Sequence, residues 1–491
     1  MSSVKCLCHL LTCTPSRQVT IGMLSGDVLL NIFCYCLDSS PWCWLGLVHV
    51  CRKWRHIVFG SQRTLRLRLL CTYGTPVLKM LDCWPTPPII IKYGGRPALD
   101  PPGPEDEDNI LDALKHSDRV HSIYLTVTKP LLTKLSSIET SFSELEDLVL
   151  LYPDYMELTL PSAFRWGPRL RTLHLTGISF PTLLQHLSSS RNLVDIQLHN
   201  IASAAYHSPE ALANALSWLT QLQSLSLHFR SSDSHPENIG ILPSSSNGKR
   251  VAFPTLSHLD FQGTCAFFDR FVIGIDSPYL GNIEITFNQP TFFVSNLCKF
   301  IDRIEIQKTH RRADILFSDL SVTISFIKSG PTCLKLQVCC ESLSLRQYSM
   351  AQICSGLSAF LLGVEHLSIS GMHPLSGKDD SNREGWLKLI HPFRGTKWVH
   401  VTGGHSTNIM LALQHSEIRR DNVLPLLHKL CVREPRPHCA TFQEAVVSFM
   451  HSRRLSGHIF GVEYERWWIN DRRGTGKRIL LYQLLLSTNA I

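Results

Sequence analysis

The chain has 491 residues, 44% of them apolar and 18% charged, with a formal net charge of +8. That composition buries a large core and excludes broad disorder. The positive residues stand in small separated groups (Arg52-Lys53-Trp54-Arg55, Arg311-Arg312, Arg453-Arg454, Arg472-Arg473) rather than in the single stripe of a nucleic-acid binder, so no nucleic-acid partner is expected.

In chain order, residues 1–22 carry no element pattern and are expected to be a disordered extension. Their Cys6–Thr12 stretch, broken by His9, is too short for a secretory leader. The 17 cysteines are an odd number that cannot pair completely, and no Asn-x-Ser/Thr acceptor occurs. These features imply reduced, mostly buried thiols in cytosol or nucleus. No apolar run approaches the roughly 20 residues that cross a membrane.

Residues 23–70 hold two amphipathic helices. Leu24, Val28, Leu29, Ile32, Phe33 and Cys36 recur at helical spacing, with Ser25 at the N-cap and Asp27 in the first turn. Asp38-Ser39-Ser40-Pro41 reads as a turn. A second helix follows, with Leu47, Val50, Cys51, Trp54, Ile57 and Val58 on one face. Two helices this short do not fold unaided and need the following array or a partner. Periodicity alone leaves a plain helical cap as an alternative.

The segment Leu24–Phe33, and above all Leu47-Val48-His49-Val50-Cys51-Arg52-Lys53-Trp54-Arg55-His56-Ile57, resembles the two halves of a fungal F-box. The likeness extends through Ser61–Leu69, Tyr73-Gly74-Thr75-Pro76 and Trp84-Pro85 to basidiomycete F-box proteins. Ser25 departs from the family's usual proline. The resemblance implies a Skp-type linker as partner, docked in turn on a cullin–RING ubiquitin ligase. It places Leu24, Val28, Ile32, Phe33, Val50, Cys51, Trp54 and Ile57 in that contact or its supporting core, with Trp54 as anchor.

Residues 71–104 form a proline-rich connector, expected to be extended and poor in regular structure apart from a short strand at Ile89–Ile91. The acidic run Glu105–Asp108 leads into a helix through Ile110, Leu111 and Leu114, and the domain boundary is placed near 105. From 105 to 491 the spacing Leu-x-x-Leu-x-Leu recurs, with other apolar residues allowed. It stands at Val120/Ile123/Leu125, Leu145/Leu148/Leu150, Leu170/Leu173/Leu175, Leu193/Ile196/Leu198, Leu222/Leu225/Leu227, Leu256/Leu259/Phe261 and Leu280/Ile283/Ile285. Weaker echoes follow at Val364/Leu367/Ile369 and Leu427/Leu430/Val432. The first seven starts lie 25, 25, 23, 29, 34 and 24 residues apart, near the leucine-rich-repeat period. The expected fold class is therefore α/β: a short N-terminal helical F-box, then an irregular, divergent leucine-rich-repeat solenoid of strands and helices, with another α/β arrangement left open because any strand–helix alternation produces some of these matches. Outer helices are expected at Thr182–Leu187 and Pro209–Leu219, a loop at 231–250, and a C-terminal cap from Phe442–Met450 and Leu480–Leu486. Between 287 and 345 the period fades, and Val322–Phe326 reads as a strand without a partner repeat.

No catalytic, cofactor or metal site is expected. Gly474-Thr475-Gly476-Lys477-Arg478 fails the phosphate-loop pattern at Asp471 and Arg478, and Cys6, Cys8, His9 and Cys13 are too crowded for paired zinc knuckles. The expected function is a substrate-recruiting adaptor of an SCF-type ligase, not an enzyme. The alternative is a repeat scaffold unconnected with ubiquitylation. A protein substrate would meet the concave strand face, which alternation assigns to Thr172, His174, Thr176, Asp195, Gln197, His199, Ser224, Ser226, His228, His258, Asp260 and Gln262. Plain solvation of an exposed sheet face accounts for the polarity of that set slightly better than a substrate site does. If the face binds, binding is expected to vary at roughly pH 6–7 as its histidines titrate.

Overall fold

The structure, a computed structural model, describes residues 21–483 except 40–42, 63, 76, 85, 95–101, 136–140, 154–157, 162–163, 202–207, 231–249, 291–293, 305–310, 328–331, 372–382, 404, 420–422, 434–439, 456–460 and 468–477. The expectations for residues 1–20, for Ser40-Pro41, for the 231–250 loop up to residue 249, and for Gly474–Lys477 lie outside the described residues. The chain divides into two compact units, one of Met1–Tyr93 with Pro102–Ile123 and the other of Gly94–Pro101 with Tyr124–Ile491.

The first unit begins with helix α1 (Gly26–Ser39), a single turn α2 (Trp44–Leu47) and helix α3 (Arg52–Gly60). Ser25 caps α1: its hydroxyl accepts the Val28 amide at 3.3 Å and its carbonyl the Leu29 amide at 3.1 Å. Helix α1 runs through Asp38 and Ser39 instead of breaking there. The expected second helix is in fact two pieces. Val48 to Cys51 leaves the helix, Cys51 is extended at the N-cap of α3, and Arg55 Nε closes the step by donating to the Val48 carbonyl at 2.9 Å. Leu29, Phe33, Leu37, Trp44, Val48 and Val58 form the core of this helical head.

The connector is more ordered than its prolines suggest. It contains strand β1 (Leu69–Cys71), helix α4 (Val77–Cys83) and strand β2 (Ile89–Tyr93), with β1 and β2 parallel. Pro88 meets the β1–β2 pairing through its carbonyl, which accepts the Leu69 amide at 2.8 Å, so its missing N–H removes no bond there. Asn109, on helix α5 (Pro104–Leu114), ties the stretch together. It donates to the Thr75 carbonyl at 2.8 Å and the Tyr93 hydroxyl at 2.7 Å, and accepts the Val77 amide at 2.7 Å. The division from the second unit falls within strand β3 (Val120–Thr126), not near 105.

All nine Leu-x-x-Leu-x-Leu triplets coincide with strands: β3, β4 (Asp147–Leu151), β5 (Thr172–Thr176), β6 (Asp195–Ile201), β7 (Ser224–Phe229), β8 (His258–Gly263), β9 (Asn282–Phe287), and later His366–Gly371 and Lys429–Arg433. Every one of their triplet residues is buried. Strands β4 to β9 pair parallel in sequence order, residue against equivalent residue, with helices such as Leu183–Ser189 and Pro209–Leu216 in the connections.

The fading of the period after 287 has a topological cause. Strands β10 (Arg312–Phe317), β11 (Ser321–Ile327) and β12 (Thr332–Cys339) form an antiparallel meander. The meander enters the sheet backwards: β12 lies parallel beside β9, and β10 lies parallel beside β13 (His366–Gly371). Val322–Phe326 thus has two partners, both antiparallel. Parallel pairing then resumes through β14 (Trp398–Gly403), β15 (Lys429–Arg433) and β16 (Gly461–Trp467), and β17 (Arg478–Gln483) closes antiparallel to β16. The C-terminal helix is Ala440–Leu455, longer than expected. Among the described residues no helix is long and apolar enough to cross a membrane.

Candidate functional site

Alternation along β5–β8 sends the triplet leucines into the core and the residues between them to the other side of the sheet. In-register pairing makes these polar side chains rows: Thr172, Asp195, Ser224, His258 and Asn282 in one, and His174, Gln197, Ser226, Asp260 and Glu284 in the next. The third row carries Thr176 paired with His199, and His228 paired with Gln262 and on to Thr286. All twelve residues expected on the face are therefore brought together. Eleven are half-buried and Ser226 is buried at 4% exposure, so the face is a packed hydrogen-bonded layer and not a freely solvated one.

Two His–Asp pairs organise it. His174 Nε2 lies 2.6 Å from Asp195 Oδ2, and His228 Nε2 lies 2.7 Å from Asp260 Oδ2. Burial alone would raise both carboxyl pKa values. The hydrogen bond and charge of the partner histidine outweigh it, with Ser224 and Gln197 helping at Asp195 and Ser226 and His258 at Asp260, and leave both carboxyls below their ordinary value. His199 stacks on His228 with ring centroids 4.1 Å apart. Burial first, and the neighbouring His228 second, push His199 down to about 4. His199 therefore does not titrate in the pH 6–7 range expected of this face.

Ser226 stands at the centre. Its hydroxyl donates to Asp260 Oδ2 at 3.0 Å and lies 2.9 Å from His199 Nε2 and 3.3 Å from His228 Nε2. A serine, a histidine and an aspartate so placed suggest a nucleophilic relay, but the geometry does not make one. Such a relay needs the serine on one imidazole nitrogen and the carboxylate on the other. Here both meet the same Nε2.

The polar face is wider than the twelve residues of β5–β8. Asn282 Nδ2 lies 3.0 Å from His258 Nδ1, and Glu284 pairs with Lys335 of β12 at 3.2 Å, so the face continues across β9 and β12. The signal was present, since Asn282, Glu284 and Thr286 occupy the same between-leucine positions of the seventh triplet.

In the helical head the eight residues singled out do not share one surface. Phe33 is fully buried and Trp54 half-buried, their rings 4.8 Å apart edge to face, so both belong to the core between α1 and α3. Trp54 thus takes part in the supporting core while remaining partly exposed. Leu24, Ile32 and Ile57 are half-buried, and Lys53 Nζ donates to the Leu24 carbonyl at 2.6 Å. Val28, Val50 and Cys51 are exposed. Val28 shares a helix face with Ile32 and with Tyr35, which is 77% exposed, while Leu29, Phe33 and Leu37 take the adjacent face inward.

No family model matches the chain, and comparison with curated proteins gives no match. Among solved structures, the leucine-rich repeat-containing protein LegL7 of Legionella pneumophila is similar at 14% identity and a TM-score of 0.26, over 68% of this chain and 91% of that one. A likeness at that level carries no functional information.

Proposed function

We propose that the chain is a substrate-recruiting adaptor of an SCF-type ubiquitin ligase. Helices α1–α3 would engage a Skp-type linker, and through it a cullin–RING ligase, while the polar sheet face holds a protein substrate. Its contribution is effective concentration rather than bond chemistry, and the reading places it in cytosol or nucleus.

The observation that carries the reading is the two-sided apolar character of α1. One stripe, Leu29/Phe33/Leu37, is consumed by the head's own core, yet a second, Val28/Ile32/Tyr35, stays at least partly exposed. Met23 and Val50 are 69% and 56% exposed nearby in sequence. Apolar exposure concentrated in one small helical element is the mark of an interaction surface, and the F-box resemblance of residues 23–57 supplies the partner.

The test is capture of a purified Skp-type linker by the full chain. Val28→Ser with Tyr35→Ser should abolish capture without changing thermal stability, whereas Phe33→Ala should lower both. Wild type that captures no linker would leave the broader reading, a repeat scaffold presenting the polar face of β5–β9 to another protein outside ubiquitylation.

A further inference from the structure

We infer that the polar sheet face carries a binding site for a zinc-class divalent transition-metal ion, with His199, His228 and Asp260 as its ligands. The inference does not depend on the adaptor reading. Three adjacent strands, β6, β7 and β8, supply one ligand each, so the donor spacing is set by sheet pairing and not by a mobile loop.

One ligating atom from each of the three side chains lies within 4.8 Å of the others. His228 Nε2 and Asp260 Oδ2 lie 2.7 Å apart, and the Ser226 hydroxyl touches all three groups, 2.9 Å from His199 Nε2, 3.3 Å from His228 Nε2 and 3.0 Å from Asp260 Oδ2. A tetrahedral zinc ion, with bonds of roughly 2.0–2.2 Å, holds its ligand atoms about 3.3 Å apart. The three donors, within 4.8 Å of one another, therefore need to close by about 1.5 Å at most to reach one ion. Two imidazoles and a carboxylate suit zinc, cobalt or nickel rather than calcium or magnesium, which take oxygen ligands. Three protein ligands leave a fourth position for water or for a group of a bound partner.

An ion binds ionised carboxylate and neutral imidazole, whose N–H stands on Nδ1 when Nε2 meets the metal. The rings now lie nearly parallel, 10° apart. Aiming both Nε2 lone pairs at one point requires each ring to turn about its terminal torsion, which is soft. Ser226, buried and donating to Asp260 Oδ2 at 3.0 Å, can hold that carboxylate in place, the usual duty of a group supporting a metal ligand.

Titration of the metal-stripped full chain with Co²⁺, followed by visible absorption, tests the site. Wild type should bind one ion per chain with the d–d bands of nitrogen and oxygen ligands and without a thiolate charge-transfer band. That second criterion excludes the chain's 17 cysteines. His199→Ala, His228→Gln and Asp260→Asn should each weaken binding by at least ~10-fold, while His391→Ala and His428→Ala, exposed positions outside these strands, leave it unchanged. Circular dichroism at matched temperature checks each fold, and Asp260→Asn keeps the side chain's size should an alanine variant unfold. Thiolate bands alone, or equal affinity in wild type and all three folded ligand variants, would overturn the assignment.

Discussion

Arg346 is a fully buried arginine, 1% exposed, on the helix Leu343–Gly356 that follows the antiparallel meander. Its Nη1 donates to the Ser318 carbonyl at 2.7 Å and also to the Asp319 carbonyl, so one guanidinium pins the β10–β11 turn. Arg346→Met keeps most of the stem and removes both bonds. Charge-assisted hydrogen bonds contribute ~1.5–3 kcal/mol each, a gross loss of about 3–6 kcal/mol. Part returns, because burial works against the charged form, as the lowered Arg346 pKa shows, and because its Nε is buried without a hydrogen-bond partner. If roughly half is recovered in this way, the net loss is about 2 kcal/mol, confined to the turn and its two strands. Hydrogen–deuterium exchange of peptides covering 312–327 should then accelerate by about 30-fold while strands β5–β8 keep their protection. Arg346→Lys should fall between the two. Exchange across 312–327 that is unchanged or slower in Arg346→Met would refute the idea that this arginine holds the turn.

Three further outcomes follow from the same structure. Ser25→Ala should cost about 1 kcal/mol through loss of the α1 cap, read as a lowered melting temperature of the full chain or of its N-terminal signals. Gly403, at φ +88° and with its missing Cβ directed at the Gly371 carbonyl, should tolerate alanine poorly. The expected loss exceeds ~1 kcal/mol and is read from the urea midpoint. Asp195 has a folded pKa below its ordinary 3.8, so its contribution is complete above that value and is lost as pH falls through the folded pKa. Asp195→Asn should therefore flatten the acid limb of the urea midpoint below roughly pH 4, and an acid limb as steep as wild type would count against the His174–Asp195 pair.

Much of this was legible because burial imposes a period on the sequence. Nine strands announced themselves through apolar triplets, and alternation then fixed which side chains share the polar face. Strand β14 was invisible for a physical reason: its triplet opens on Thr396, fully buried, whose hydroxyl donates to the Val364 carbonyl at 3.1 Å and so behaves as an interior residue. The meander was missed because a strand that reverses direction breaks the repeat distance while keeping the alternation. In the head, periodicity identified apolar positions but could not assign them to inside or outside. Trp54 took the inside by packing on Phe33, and Val28 was left out. Nothing in the spacing revealed that Ser226 would gather two imidazoles and a carboxylate around one hydroxyl, since that depends on the registry of three strands whose starts lie 29 and 34 residues apart.

The meander also bears on how the chain reaches its fold. Each parallel pair among β4–β9 must close a loop through an intervening connection before any ladder bond forms, which is slow and entropically costly. Strands β10 and β11 are separated only by Ser318–Leu320, and Ser318 holds the turn itself, its hydroxyl accepting the Ser321 amide at 3.0 Å while its own amide donates to the Ser321 carbonyl at 2.9 Å. A hairpin of that kind assembles in about 1–10 μs. It therefore offers a preformed edge on each side: β10 takes β13 in parallel, and β11 takes β12 antiparallel and through it β9, so the slower parallel pairing can grow in both directions along the chain. Pulsed hydrogen exchange during refolding should accordingly find protection in 312–327 before it appears in β5–β8.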